Sequence, residues 1–154
     1  MKNLFFFLLL SATFSFVGCS DDDDEMLVDF MTATINGDSF SANSLIGLAE
    51  EDDFGEEFVF ISGIQTSNSA SIGLVIAPSL GTGTFQIGMN DLSFLFSDDI
   101  NGPNAFFTEG TLTITTNDAD ANILEGTFEF TATDDADPLN VFNITNGGFR
   151  VTYE

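Results

Sequence analysis

The chain reads as a single all-β domain, an antiparallel β-sandwich or flattened barrel of about ten short strands, behind a cleavable leader. Three observations carry that reading. Beyond residue 30 no apolar i, i+3, i+4, i+7 pattern lasts longer than two turns. Apolar residues alternate with period two instead, and Gly, Asn and Asp separate the alternating runs. The 154 residues, 44% of them hydrophobic, are enough for one core and too few for two.

The elements follow in order. Met31, Ala33 and Ile35 share one face and Thr32 and Thr34 the other, and Asn36-Gly37-Asp38 then turns the chain into 39–42. Asn-Gly tolerates the positive φ angles of a tight hairpin turn. Segments 57–64 (EFVFISGI) and 71–77 (SIGLVIA) are apolar on both faces, as central strands are. Strands at 83–87 and 92–97 come next, the latter with Leu92, Phe94 and Phe96 on one face. In 111–116 Leu112 and Ile114 point inward; 117–122 (NDADAN) is an Asx-rich turn. Segment 123–133 sets Leu124, Phe128, Phe130 and Ala132 against Thr127, Glu129 and Thr131. A last hairpin is expected from 141–145, a turn at Asn146-Gly147-Gly148, and Phe149, Val151 and Tyr153.

Residues 1–18 form the leader. Lys2 precedes an apolar run at 4–10 (LFFFLLL), and small or apolar residues continue to Gly18. The span is short and acids follow at once, so it reads as a signal peptide and not as a membrane-crossing helix. Phe16-Val17-Gly18-Cys19 resembles the lipobox of bacterial lipoproteins. The resemblance implies cleavage between Gly18 and Cys19 and acylation of Cys19, and each buried methylene contributes about 0.8 kcal/mol to anchoring. Residues 19–29 are then a lipidated, acidic tether, with 30–154 as the domain. Ser20, Asp21, Asp22, Asp23 and Asp24 resemble the acidic export signal that Bacteroidetes lipoproteins carry after the lipidated Cys. That implies an outer-membrane protein facing the cell exterior, its first partner the outer membrane through its lipid.

The strand segments carry a further resemblance. Residues 31–42 (MTATINGDSFSA), 110–115 (GTLTIT), 126–132 (GTFEFTA) and 143–153 (NITNGGFRVTY) are similar to a family of uncharacterised Bacteroidetes outer-membrane lipoproteins. The family implies a fold and an address, and it implies no activity or catalytic residue.

Composition removes whole classes of chemistry. There are 25 Asp+Glu against 2 Lys+Arg, and after cleavage Arg150 is the remaining cation, so 25 acids less one cation leave −24. Such a surface repels phosphate backbones and anionic headgroups, which argues against nucleic acid as a partner. With no His, and Cys19 as the sole Cys, the ligands of zinc and iron–sulfur sites and the thiol nucleophiles are missing. No cofactor is expected.

Two acidic patterns merit weighing. Asp118, Asp120, Asn122 and Glu129 match positions 1, 3, 5 and 12 of a calcium loop, but Ile123 stands where Gly is required. A polar hairpin turn accounts for them better, and no metal site is expected. Acids at 50–53 with Glu56 and Glu57, at Asp98 and Asp99, and at Asp134, Asp135 and Asp137 are read as solvated loop acids. Arg150 is expected to pair with an outward acid on a neighbouring strand, Glu129 or Glu154.

The sequence therefore points to a non-catalytic surface lipoprotein that binds a protein or polysaccharide partner, or contributes to the envelope. The alternative is a carboxylate-dependent glycan hydrolase, which would show two carboxylates in one cleft about 5–10 Å apart. The lipobox reading predicts that labelled palmitate enters the wild-type chain and that Cys19→Ala abolishes the label. Equal labelling of both would refute it.

Overall fold

The structure is a computed structural model that describes residues 28–87, 92–98, 105–134 and 137–154. Gly18, Cys19 and the Ser20 to Asp24 run lie outside the described residues, as do Asp99 and Asp135. The ten strands are β1 Phe30–Ile35, β2 Asp38–Ser41, β3 Ser44–Glu51, β4 Glu57–Gln65 and β5 Ala70–Ile76. They continue with β6 Gly83–Gln86, β7 Leu92–Ser97, β8 Ala105–Asp118, β9 Ile123–Asp134 and β10 Val141–Thr152. All pairings are antiparallel, and no helix occurs among the described residues. The all-β class is as the periodicity predicts.

The strands form one sheet in the order β2-β1-β10-β9-β8-β7-β5-β4-β3, with β6 added to the side of β8. Its two ends meet through a corner in the chain. β2 pairs with β1, and β3, which starts a few residues later, pairs with β4. Within the corner the Ala42 amide donates to the Met31 carbonyl at 2.9 Å, and the next amide, Asn43, donates to the Ile64 carbonyl at 2.8 Å. Successive amides of an extended chain point to opposite edges, so β2 and β3 act as one bent strand with β1 on one side and β4 on the other. The circuit closes, and the fold is a flattened barrel. Two more backbone bonds reinforce the seam, Ala49 to Glu154 at 2.8 Å and Glu154 to Gly47 at 3.3 Å.

Closure presses two layers together. β4, β5 and β7 contribute Val59, Ile61, Ile72, Leu74, Ile76, Phe94 and Phe96 to the interior, with Leu45 of β3 packed against it, and the other layer contributes Met31, Phe40, Leu112, Ile114, Leu124, Phe128, Phe130, Phe149 and Val151. Phe94 stacks on Phe130 with centroids 4.8 Å apart, and Phe96 tilts against Phe142 at 4.7 Å. In a flat sheet β7 and β9 would lie two spacings apart, about 9.6 Å; the ring stack records the fold-over. At the seam, glycines let backbones approach. A Cβ on Gly63 would stand 2.6 Å from the Met31 sulfur, and one on Gly47 would stand 2.7 Å from Val151 Cγ2.

The first hairpin forms as its sequence requires, with Asn36 at φ 50° and Gly37 at φ 95°. Segments 57–64 and 71–77 are central strands, and the inward faces read from 92–97, 111–116 and 123–133 are buried. Two expectations are corrected. Residues 141–152 are one strand and not a hairpin: Asn146 takes a left-handed φ of 51° within a bulge, and pairing with β9 slips between Ile144 and Gly147 and then resumes. Strand β3 escapes the period-two pattern because its alternation is weak and its outward positions, Ile46 and Leu48, are apolar.

The circuit and the described core lie within 28–154, and this fragment is the one used in the tests below. Gly147 tests the bulge. A Cβ there would lie 2.4 Å from the Phe128 ring and 2.6 Å from the Phe128 carbonyl oxygen. Gly147→Ala should therefore destabilise the fragment by about 1–3 kcal/mol in urea unfolding. Gly81→Ala, with nothing within 4 Å, should change it by less than about 0.5 kcal/mol.

Candidate functional site

The outward face of β6, β8, β9 and β10 carries a polar trough. Residues of opposite parity to the core alternate outward along these strands, and the register aligns them in rungs. Gln86 lies opposite Thr111 and Thr111 opposite Glu129; Glu109 lies opposite Thr131 and Thr131 opposite Asn143; Thr84 lies opposite Thr113 and Thr113 opposite Thr127. The Thr84 and Thr113 hydroxyls share a hydrogen bond of 2.9 Å.

A sheet surface is ordinarily convex or flat, and here two irregularities hollow it. β8 slips register between Phe107 and Glu109, and β10 slips between Ile144 and Gly147. Bulges bend strands and re-aim side chains. Between them, Gly110 lets the backbone close in, since a Cβ there would lie 2.6 Å from the Glu129 carbonyl oxygen. The hollow measures about 300 Å³ and is lined by Gln86, Glu109, Thr111, Glu129, Thr131, Asn143 and Thr145 side chains. A second hollow adjoins it, sharing Thr111 and Glu129 and ending at Asn146-Gly147-Gly148.

The chemistry of this lining is specific in one respect. It offers two carboxylates, two amides and three hydroxyls, and no cation. Carboxylates accept hydrogen bonds and amides do both, so the trough suits a ligand rich in hydroxyl or ammonium donors and repels anions. Glu109 and Glu129 are diagonal neighbours across β8 and β9, a relation that places residues about 7–8 Å apart, with their Cβ atoms somewhat closer.

Arg150 is buried, and Nη1 donates to Glu125 Oε2 at 3.3 Å. The sequence suggests Glu129 or Glu154 as its partner. Register decides otherwise, because Arg150 lies directly opposite Glu125 on β9. Thr116 also donates to that carboxylate oxygen, at 3.5 Å, while Arg150 Nε is buried without a partner.

The calcium-loop residues are employed elsewhere. The Asp118 Oδ1 atom accepts from the Asp120 amide at 3.1 Å and the Ala121 amide at 3.0 Å, capping the β8–β9 turn that Asn122 completes at φ 56°. Glu129 lies six residues up β9 from Ile123, about 20 Å away along the strand. Among the described residues, no group of three or more His, Cys, Asp or Glu converges as a metal site would. The acids read as loop residues are divided. Glu50 and Glu51 belong to β3, Glu57 to β4 and Asp134 to β9, while Asp52, Asp53, Glu56, Asp98 and Asp137 lie outside strands. Asp52 Oδ1 accepts from the Phe54 amide at 2.8 Å and the Glu56 amide at 2.9 Å, which fixes the β3–β4 turn. Gln86, Glu109 and Asn143 do not stand out in the sequence. Their signal, outward parity on adjoining strands, has meaning only once the pairing is known.

Fold and trough together define an all-β, flattened-barrel domain with a concave polar outer face. The chain belongs to DUF6252, a domain of unknown function, whose family model matches residues 28–151. Comparison with curated proteins and with solved structures gave no match.

Two stability measurements test these assignments. Glu125→Ala strips the buried Arg150 of its partner and should cost about 1–3 kcal/mol, most of it regained when Arg150→Met is added. Asp118→Ala should lower the stability by about 1 kcal/mol through the lost turn cap. Millimolar CaCl₂ should raise the melting temperature of either form no more than MgCl₂ does.

Proposed function

We propose that the chain is a lipid-anchored, outward-facing envelope lipoprotein whose β domain is a non-catalytic binding module, with the trough as its binding surface. The observation that carries the reading is the trough itself, a concave outer face whose functional groups all accept or share hydrogen bonds and none of which is cationic. A hydroxyl-rich polymer such as a neutral polysaccharide matches it. The anchor and the address rest on Phe16 to Cys19 and on Ser20 to Asp24. Asp29 supports a tether that ends at the domain, since its carboxylate accepts from the Thr152 amide at 3.0 Å and the Thr152 hydroxyl at 3.2 Å.

A second reading, a carboxylate-dependent glycan hydrolase, draws on one observation. Glu109 and Glu129 line the same hollow as diagonal neighbours on β8 and β9. Against it, among the described residues the trough is an open surface hollow on a sheet face, where water has access.

Calorimetric titration of the 28–154 fragment with a panel of neutral oligosaccharides tests the binding reading. A member of the panel should bind, and Glu129→Gln should weaken it about tenfold, or about 1.4 kcal/mol, with the melting temperature unchanged. Failure of the whole panel would remove the trough from consideration. Release of reducing ends that ceases in both Glu109→Gln and Glu129→Gln would favour the hydrolase. Display is tested separately: protease added to whole cells should digest the wild-type domain and spare a variant with Asp21 to Asp24 changed to Ala.

A further inference from the structure

The opposite layer presents a face of different chemistry. On β3, β4, β5 and β7 the inward residues fill the core, and the outward residues include Ile46, Leu48, Phe60, Val75 and Leu95. Leu48 lies directly opposite Phe60 and Phe60 opposite Val75. At Gly73 the missing side chain lets two neighbours lean together, with Leu95 Cβ 3.3 Å and Phe60 Cε2 3.5 Å from where a Cβ would stand. The apolar band is thus continuous across four strands. Ile46 and Leu48 are exposed, Phe60, Val75 and Leu95 are half-buried, and Ser62, Ser71 and Ser93 border them.

Charge makes the band stand out. The chain carries 25 acids, yet the outward positions of β4, β5 and β7 from Phe58 to Ile64, Ser71 to Val75, and Ser93 to Leu95 hold none. Acids gather at its end instead. Glu50 lies opposite Phe58 and Glu51 opposite Glu57, and Asp52, Asp53 and Glu56 follow in the turn. An apolar centre beside a charged rim is the anatomy of a protein interface.

We propose that this face docks a protein whose apolar side chains meet Leu48, Phe60, Val75 and Leu95 and whose rim presents Lys or Arg to the acids of the β3–β4 end. Charge selects this occupant over two others. A second copy would bring acid against acid, and Arg150 is buried in its pair with Glu125. A membrane surface would want Trp, Tyr, Lys or Arg at the border. The chain has no Trp, its one Tyr is buried, and its acids would face anionic headgroups. The inference is independent of the trough on the other layer.

The test uses fluorescence anisotropy with the 28–154 fragment and three labelled synthetic peptides. One alternates Lys with Leu, Phe and Val; one replaces its Lys with Glu; one replaces its apolar residues with Ser at unchanged charge. The Lys-apolar peptide should bind at least tenfold tighter than the Lys-Ser peptide, lose affinity as NaCl rises, and outcompete the Glu peptide entirely. Phe60→Ser, which leaves the charge untouched, should cut that affinity at least tenfold. Leu48→Ser, at the exposed edge, should cut it severalfold with the melting temperature unchanged, so that a folding defect in the first variant cannot decide the matter. Equal binding of the Lys-apolar and Lys-Ser peptides, or indifference to both substitutions, overturns the proposal. So does a dimer in sedimentation that Leu48→Ser returns to monomer, which makes a second copy the occupant. Flotation with phosphatidylcholine vesicles that depends on Phe60 and Leu48 overturns it in favour of a membrane.

Discussion

Closure of the sheet hangs on the corner at Ala42 and Asn43, and most other features of the molecule follow from it. Two neighbouring amides bond to strands on opposite sides, to Met31 on β1 and to Ile64 on β4, and so join the ends of one long sheet. Without that junction the sheet would be an open ribbon with its apolar face half exposed. With it, the sheet flattens into two layers, and the inward residues from Met31 to Val151 gather into one core across the gap. The seam tolerates little bulk, as Gly47 and Gly63 show. Closure also shortens the exposed edges, although β6 still pairs on one side only.

Flattening divides the barrel into three distinct environments. The interior is apolar, with Phe94, Phe128, Phe130 and Phe149 linked by ring contacts. One outer face is threonine and glutamate, hollowed where β8 and β10 change register. The other is aliphatic and phenyl, uncharged along its central strands. A net charge of −23 on the whole chain makes the distribution matter. Acids repel one another over about 10 Å at 0.1 M salt, so a charge-free face on such a protein is a departure from its average surface. The polar trough and the apolar band lie on opposite layers of the barrel.

The sequence is legible where a strand has one buried face and one wet face. Thr127, Glu129 and Thr131 alternate with Phe128, Phe130 and Ala132, and β9 buries the phenylalanines and exposes the glutamate as the pattern requires. It misleads in two places, each for a physical reason. Asn146-Gly147-Gly148 has the composition of a tight turn, because a left-handed residue beside glycine serves a bulge as well as a hairpin. The difference lies in the ladder with β9, which slips at Ile144 and resumes at Gly147 opposite Phe128. β3 is hidden because Ile46 and Leu48 break the alternation that its inward Leu45 and Gly47 would otherwise show.

From the sequence alone follow the fold class, the inward residues of the alternating strands, the first hairpin turn, the excess of acid, the single Cys and the absence of imidazole ligands. All of these are local or additive: periodicity, turn stereochemistry and composition need no knowledge of what lies across the sheet. Three things wait on the folded chain: which acid meets Arg150, where the sheet closes and which outward side chains form one surface. Glu125 is the partner because β9 and β10 align 125 with 150. A shift of two residues either way would have set Arg150 opposite Ile123 or Thr127, neither of which carries a charge to meet it. Gln86, Glu109 and Asn143 come from three strands far apart in the chain, and register, a long-range property, brings them to one hollow.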